Sequence, residues 1–107
     1  MQYLTVKAKK EFEKILKNGK RAYTETLTIV YLEQSPLKMA VCVGKKFGKS
    51  VQRNAIKRLL REAFRVYCKN MRPCSVLLIP RVREEYSYRR YVRDMGKLFA
   101  KERLLEG

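Results

Sequence analysis

Apolar residues recur along this chain with two different periods, and the changes of period mark out its elements. Between residues 6 and 18, Ala8, Phe12, Ile15 and Leu16 follow helical spacing. Thr5 is placed to cap that helix, Lys14 and Lys17 suit its C-terminal dipole, and Gly19 suits the position after its last turn. Residues 22–33 are rich in Thr, Tyr, Ile and Val and predict a strand. One face carries Leu27, Ile29 and Tyr31, the other Thr26, Thr28, Val30 and Leu32. Gln34-Ser35-Pro36 predicts a turn, and residues 37–44 a buried return strand.

The most regular stretch follows. Ile56, Leu59, Leu60, Ala63, Phe64 and Tyr67 fall on one face of a helix predicted over 51–69. A loop over 71–75 leads into a short buried strand, Ser75–Pro80. A last helix, over 87–105, should bury Tyr88, Tyr91, Val92, Met95, Leu98 and Phe99. Gly96 inside it costs about 1 kcal/mol relative to Ala. There is no repeat and no linker-like tract, so residues 1–107 read as one domain. The order is α-β-β-α-β-α, with one more strand if the first long one bends, which describes a compact α+β sandwich.

Composition narrows the chemistry. Apolar residues make up 46% of the chain, enough for a packed core rather than a disordered polycation. There is no histidine, which removes Ser-His-Asp and Cys-His nucleophile pairs. The ten acids, Glu11, Glu13, Glu25, Glu33, Glu62, Glu84, Glu85, Asp94, Glu102 and Glu106, are scattered and mostly beside Lys or Arg. They read as solvated helix-face charges rather than a converging metal-binding or catalytic set. Cys42, Cys68 and Cys74 show no CxxC spacing, and their odd number fits a reducing compartment. The first residues, MQYLTVKAKKEF, lack the apolar core of a signal peptide, and no apolar run reaches membrane-spanning length. The expectation is a cytoplasmic protein with no catalytic residues and no protein-bound metal.

Against 10 acids stand 26 Lys and Arg, a net charge of +16. Such a surface seeks nucleic acid or anionic membrane. From Gln34 to Arg61 there is no acid at all, but there are Lys38, Lys45, Lys46, Lys49, Arg53, Lys57, Arg58 and Arg61. On the helix over 51–69, Arg53, Lys57, Arg61, Arg65 and Arg58 span an arc of about 140°, with Asn54 inside it. Like charges stacked at i,i+4 destabilise a helix, and polyphosphate is the simplest compensation. Membrane binding is disfavoured, because the opposite helix face is needed by the core. Gly44-Lys45-Lys46-Phe47-Gly48-Lys49-Ser50 is one residue short of a nucleotide-binding P-loop. It still describes a strand-to-helix turn suited to a backbone phosphate. Phe12, Tyr23 and Tyr31 are aromatics that could stack on unpaired bases beside a cationic groove, though for any one of them a place in the core is the commoner fate. Charge alone leaves DNA and RNA both open.

The stretch FGKSVQRNAIKRLLRE, residues 47–62, closely resembles the protein subunit of bacterial ribonuclease P. The signature comprises Arg53-Asn54, Lys57-Arg58 and Arg61. Lys9, Glu11, Phe12, Ile15 and Gly19 of the first helix extend it, as do Val41, Val43, Gly44, Lys45 and Lys46 at the end of the second strand. So does Ile79-Pro80-Arg81. Ser50 stands where that family usually has alanine, Ala55 where a longer residue is common, and Leu16 and Val30 where aromatics are common.

The resemblance implies an α-β-β-β-α-β-α fold with a left-handed βαβ crossover, like the second domain of ribosomal protein S5. General experience with such units would favour a right-handed one. It implies that a catalytic RNA performs the hydrolysis with Mg²⁺, while the protein binds that RNA and the 5′ leader of precursor tRNA as a monomer in the holoenzyme. It gives no role to DNA or membrane. Lys45, Lys46, Lys49, Arg53, Asn54, Lys57, Arg58, Arg61 and Arg65 become the RNA-binding residues, and Phe12, Leu16, Val30 and Tyr31 the leader cleft. The competing readings are a general RNA-binding or ribosomal-type protein without leader preference, and a stand-alone nuclease, for which the residue inventory offers no chemistry.

Overall fold

A computed structural model describes residues 3–106; positions 1, 2 and 107 lie outside the described residues. The chain forms β1 (Leu4–Thr5), α1 (Lys9–Asn18), β2 (Lys20–Tyr23), β3 (Leu27–Leu32), β4 (Lys38–Val41), α2 (Ser50–Tyr67), β5 (Ser75–Pro80) and α3 (Tyr88–Lys101). Short 3₁₀ turns, Lys45–Phe47 and Cys68–Asn70, flank α2. The five strands make one sheet in the order β1-β4-β5-β3-β2. β5 lies at its centre, parallel to β4 and antiparallel to β3. The unit β4-α2-β5 thus joins adjacent parallel strands through a helix, the crossover that the resemblance singles out.

Side-chain alternation sorts the sheet into two faces. Leu27, Ile29 and Tyr31 of β3 and Val76 and Leu78 of β5 point toward α2 and α3, where they meet Ile56, Leu60, Phe64 and Phe99. The Phe64 and Phe99 rings pack edge to face at 6.0 Å. Val30 and Leu77 point the other way and are sealed by Ile15 of α1, with Phe12 and Leu16 at the margin. A 2.9 Å ion pair between Lys38 Nζ and Glu11 Oε2 ties α1 to β4.

Several elements differ from the sequence expectation for identifiable reasons. Thr5 does not cap α1. The Leu4 amide donates to the Leu37 carbonyl and the Val6 amide to Met39, so the segment is drawn onto the edge of β4 as an added strand. α1 therefore starts later, after Ala8, with no side-chain cap. The strand expected over 22–33 divides into β2 and β3, with Thr24-Glu25-Thr26 turning between them. Gly19 is extended rather than left-handed. It is needed for closeness, since a Cβ there would lie 2.5 Å from the Ile15 carbonyl oxygen and 2.9 Å from that of Tyr31. Tyr88 is 39% exposed, leaving Tyr91, Met95, Leu98 and Phe99 as the buried apolar stripe of α3.

Two further departures carry energetic consequences. Asp94 is not a solvated charge: it is 2% exposed, accepts a hydrogen bond from the Thr26 hydroxyl, and lies 3.2 Å from Arg93 Nε. Burial pushes its carboxyl up, but hydrogen bonds from Thr26, Arg93 and Thr24 outweigh that and hold it below its ordinary value. Gly96 lies where α3 passes α2, and a Cβ would stand 2.5 Å from Tyr67 Oη. That hydroxyl donates to the Val92 carbonyl at 2.6 Å. The glycine cost in α3 is offset by a close helix crossing. The last residues return to the α2–β5 loop: the Arg72 amide donates to the Leu104 carbonyl and the Glu106 amide to Asn70, and Leu104 is fully buried.

Gly96→Ala should lower stability by about 1–3 kcal/mol through overpacking, where helix propensity alone would raise it by about 1. Thermal unfolding checks this, and a raised Tm would show Tyr67 moving aside. A carboxyl depressed in the folded state contributes stability above its unfolded pKa, about 4, that is lost as pH falls through the native value. Thr26→Val should therefore destabilise at pH 7 by about 1–3 kcal/mol and flatten the loss of stability below pH 4. Urea unfolding across that range checks it, and an unchanged acid limb would count against the Thr26–Asp94 bond.

Candidate nucleic-acid interface

α2 is anchored on one side only. Ile56, Leu60, Ala63 and Phe64 are buried against the sheet and α3, which fixes the rotation of the helix and turns its cations outward. Asn54, Arg58, Arg61 and Arg65 are exposed, and Arg53 and Lys57 are half-buried. Among the described residues, Arg58 is the one cation of this arc with an acidic partner, Glu62 at 3.2 Å on the same helix. That pair is solvent-exposed and contributes little. Arg53 reaches Ser50 Oγ only at 3.5 Å, and its Nε is buried without a partner. At the N-terminus of α2 neither Lys49 nor any other side chain caps the helix, and its first turn carries no acid. The free amides there and the exposed Lys45, Lys46 and Lys49 form a continuous electropositive turn.

Beside this arc runs a groove of about 330 Å³ whose walls include Phe12 of α1, Thr5 of β1, Ala40 and Val41 of β4, and Lys57 and Arg61 of α2. The fold joins the aromatic rim of α1 to the cationic face of α2, because β1 and β4 bridge from one helix to the other. Phe12 and Leu16 remain half-buried at the rim of α1. Cys42 packs in the same cluster, and burial pushes its thiol up to about 11, so it stays protonated.

Two expected cleft residues are not at the surface. Val30 is fully buried beneath α1. Tyr31 is 3% exposed, points to the opposite face of the sheet, and donates its hydroxyl to Glu102 Oε1 at 2.7 Å. Burial and that carboxylate raise its pKa. Neither can stack on a base here. Strand alternation fixes both outcomes: adjacent residues point to opposite faces, and at Val30 and Tyr31 each face of β3 is covered by helices. In their place the groove uses Thr5, Lys7, Ala40 and Val41. The recruitment of β1 to the sheet edge brings Thr5 and Lys7 there, and no local pattern announces such a pairing.

Comparison with known proteins agrees with this architecture. The Ribonuclease P family profile matches residues 2–103. The ribonuclease P protein component of Natranaerobius thermophilus is 34% identical over 98% of this chain and 95% of its own length. That of Chlamydia trachomatis is 42% identical over 68% of this chain and 63% of its own length. The RNase P protein from Thermotoga maritima superimposes with a TM-score of 0.81 at 23% identity, over 96% of this chain and 98% of that one. The RNase P protein of Staphylococcus aureus does so with a TM-score of 0.76 at 20% identity, over 95% and 97%. With the whole described fold and nearly the whole sequence in agreement, the chain belongs to the ribonuclease P protein component family.

Proposed function

We propose that this chain acts in the cytoplasm as the protein subunit of an RNA-based ribonuclease P, binding the catalytic RNA and holding the 5′ leader of precursor tRNA during 5′ maturation. The observation that carries this reading is the groove in which Phe12 faces Lys57 and Arg61, continuous with an arc of cations almost free of acidic partners. Such a groove offers an apolar surface to unpaired bases and charge to their phosphates at once.

Arg53, Arg58, Arg61 and Arg65 grip phosphates with planar guanidinium groups, Lys57 serves as a point charge, and Asn54 adds a neutral donor and acceptor. Lys45, Lys46 and Lys49 extend the field along the turn into α2. Phe12 and Leu16 receive the leader, and Val30 acts as the buried floor that keeps α1 in place. On this reading the chain supplies no catalytic group of its own; among the described residues no three His, Cys, Asp or Glu side chains gather to hold a metal ion. Phosphodiester hydrolysis is assigned to the RNA, with Mg²⁺ held there. The protein lowers the local charge density of the RNA and so reduces the Mg²⁺ that the assembly needs. No helix among the described residues is long and apolar enough to cross a membrane.

Reconstitution with a cognate catalytic RNA at low Mg²⁺ tests the proposal: cleavage at the mature 5′ end should need both components. Binding without rescue of cleavage would favour a general RNA-binding protein, and cleavage by the protein alone would overturn both readings. Arg53→Ala and Lys57→Ala should each weaken RNA binding and reduce the log–log salt slope by roughly 0.7–0.9 per lost phosphate contact; wild-type slopes in both would refute the cationic-face assignment. Phe12→Ala should weaken precursor binding several-fold more than mature tRNA binding, whereas equal losses would assign Phe12 to packing alone.

A further inference from the structure

Tyr23 lies outside the groove beside α2. It is 71% exposed at the end of β2, an unusual position for a large aromatic ring. Its register partner is Thr28, and the partner of Thr28 is Ile79, so the three form a row across β2, β3 and β5. Ile79 packs in the cluster that also holds Phe12 and Leu16. The row therefore lies on the sheet face that carries α1, with Phe12 at its rim. Around it is an open recess of about 660 Å³, lined by Tyr23, Thr28, Ile79, Arg81 and Lys46 and by no acid.

The ring is already held. The Arg81 guanidinium stands 5.9 Å from its centroid, within cation–π range. Arg81 is itself fixed, because its backbone amide donates to the Thr26 carbonyl at 2.9 Å and its Nη1 lies 3.4 Å from the Thr24 carbonyl. Arg83 Nη1 donates to the Glu25 carbonyl at 3.1 Å and braces the same hairpin. Tyr23 is thus an exposed aromatic plane backed by a pinned cation, with a second cation, Lys46, across the recess. A flat ring flanked by two cations suits an unpaired base and its phosphates.

We infer that Tyr23 is a second base-stacking platform for single-stranded RNA, with Arg81 and Lys46 holding the adjoining phosphates. This rests on the leader-binding reading and deepens it. Lys46 belongs both to the cationic turn before α2 and to this recess, so a strand lying along the sheet face meets the two sites in succession. The platform then rewards leaders long enough to reach it and makes one leader position sensitive to the stacking strength of its base.

The test uses the reconstituted holoenzyme and precursor tRNAs whose leaders carry a single abasic position, moved one nucleotide at a time. With wild-type protein, one position away from those sensitive to Phe12→Ala should cost about 5- to 30-fold in affinity. Tyr23→Ala should weaken binding of the intact leader by the same factor and abolish any further loss from the abasic nucleotide there. Tyr23→Phe should behave as wild type, because the ring and not the hydroxyl stacks. Since Tyr23 is exposed, Tyr23→Ala should keep the wild-type Tm. Unchanged precursor affinity in Tyr23→Ala, with precursor preference and the Phe12→Ala effect intact, would overturn this inference alone. Equal wild-type affinity for precursor and mature tRNA would overturn the leader reading and this inference with it.

Discussion

Successive side chains of a strand point to opposite faces, so the inner strands of a sheet covered on both sides must be apolar in both directions. β5 meets that demand with Val76, Leu77 and Leu78, all fully buried. Every other placement follows from it. α2 must lie on one face to reach from β4 to its parallel neighbour β5, α3 packs beside it, and the shorter α1 is left to cover part of the other face. The groove and the recess around Tyr23 occupy what α1 does not cover.

The charge on α2 is tolerated for the same reason. Arg53, Lys57, Arg61 and Arg65 stack at i,i+4 spacing, each pair disfavouring the helix by about 0.2–0.5 kcal/mol. Burying Ile56, Leu60 and Phe64 on the opposite side stabilises it by about 1.5–3 kcal/mol per side chain. The second quantity exceeds the first several-fold, so the helix can carry an unneutralised face while free of any ligand. A polyanion of the kind proposed would then spend no free energy on forming the helix and would meet cations already aligned.

How far the sequence discloses all this depends on the range of the interaction concerned. α2 and β5 were legible within a residue or two because their signals are local: a helical stripe of Ile56, Leu60, Ala63 and Phe64, and a four-residue apolar run. The bend between β2 and β3 was only half visible, since Thr24-Glu25-Thr26 contains neither Gly nor Pro. The pairing of Thr5 with β4 is a contact across more than thirty residues of chain and leaves no local trace. The cationic arc was read correctly as a surface, because charge and helical period are both local. The aromatics were not: alternation puts Tyr31 and Val30 on opposite faces, but only the assembled layers show that both are covered while Tyr23 is bare. Asp94 misled for a similar reason, its partner Thr26 lying on a distant turn.

The groove brings Phe12 of α1 beside Lys57 and Arg61 of α2 only through strands contributed by two further parts of the chain. Affinity and discrimination are therefore separable properties of the molecule. The cations of α2 lie on one contiguous segment, and their attraction for polyanions survives wherever that helix does. On the proposed function, telling one RNA from another requires the aromatic rim, the sheet floor and the cationic wall in a single body, and hence cooperative folding of the whole domain. A partly unfolded or fragmented chain would then keep its stickiness and lose its judgement, which on that proposal makes the integrity of the fold itself a determinant of substrate choice.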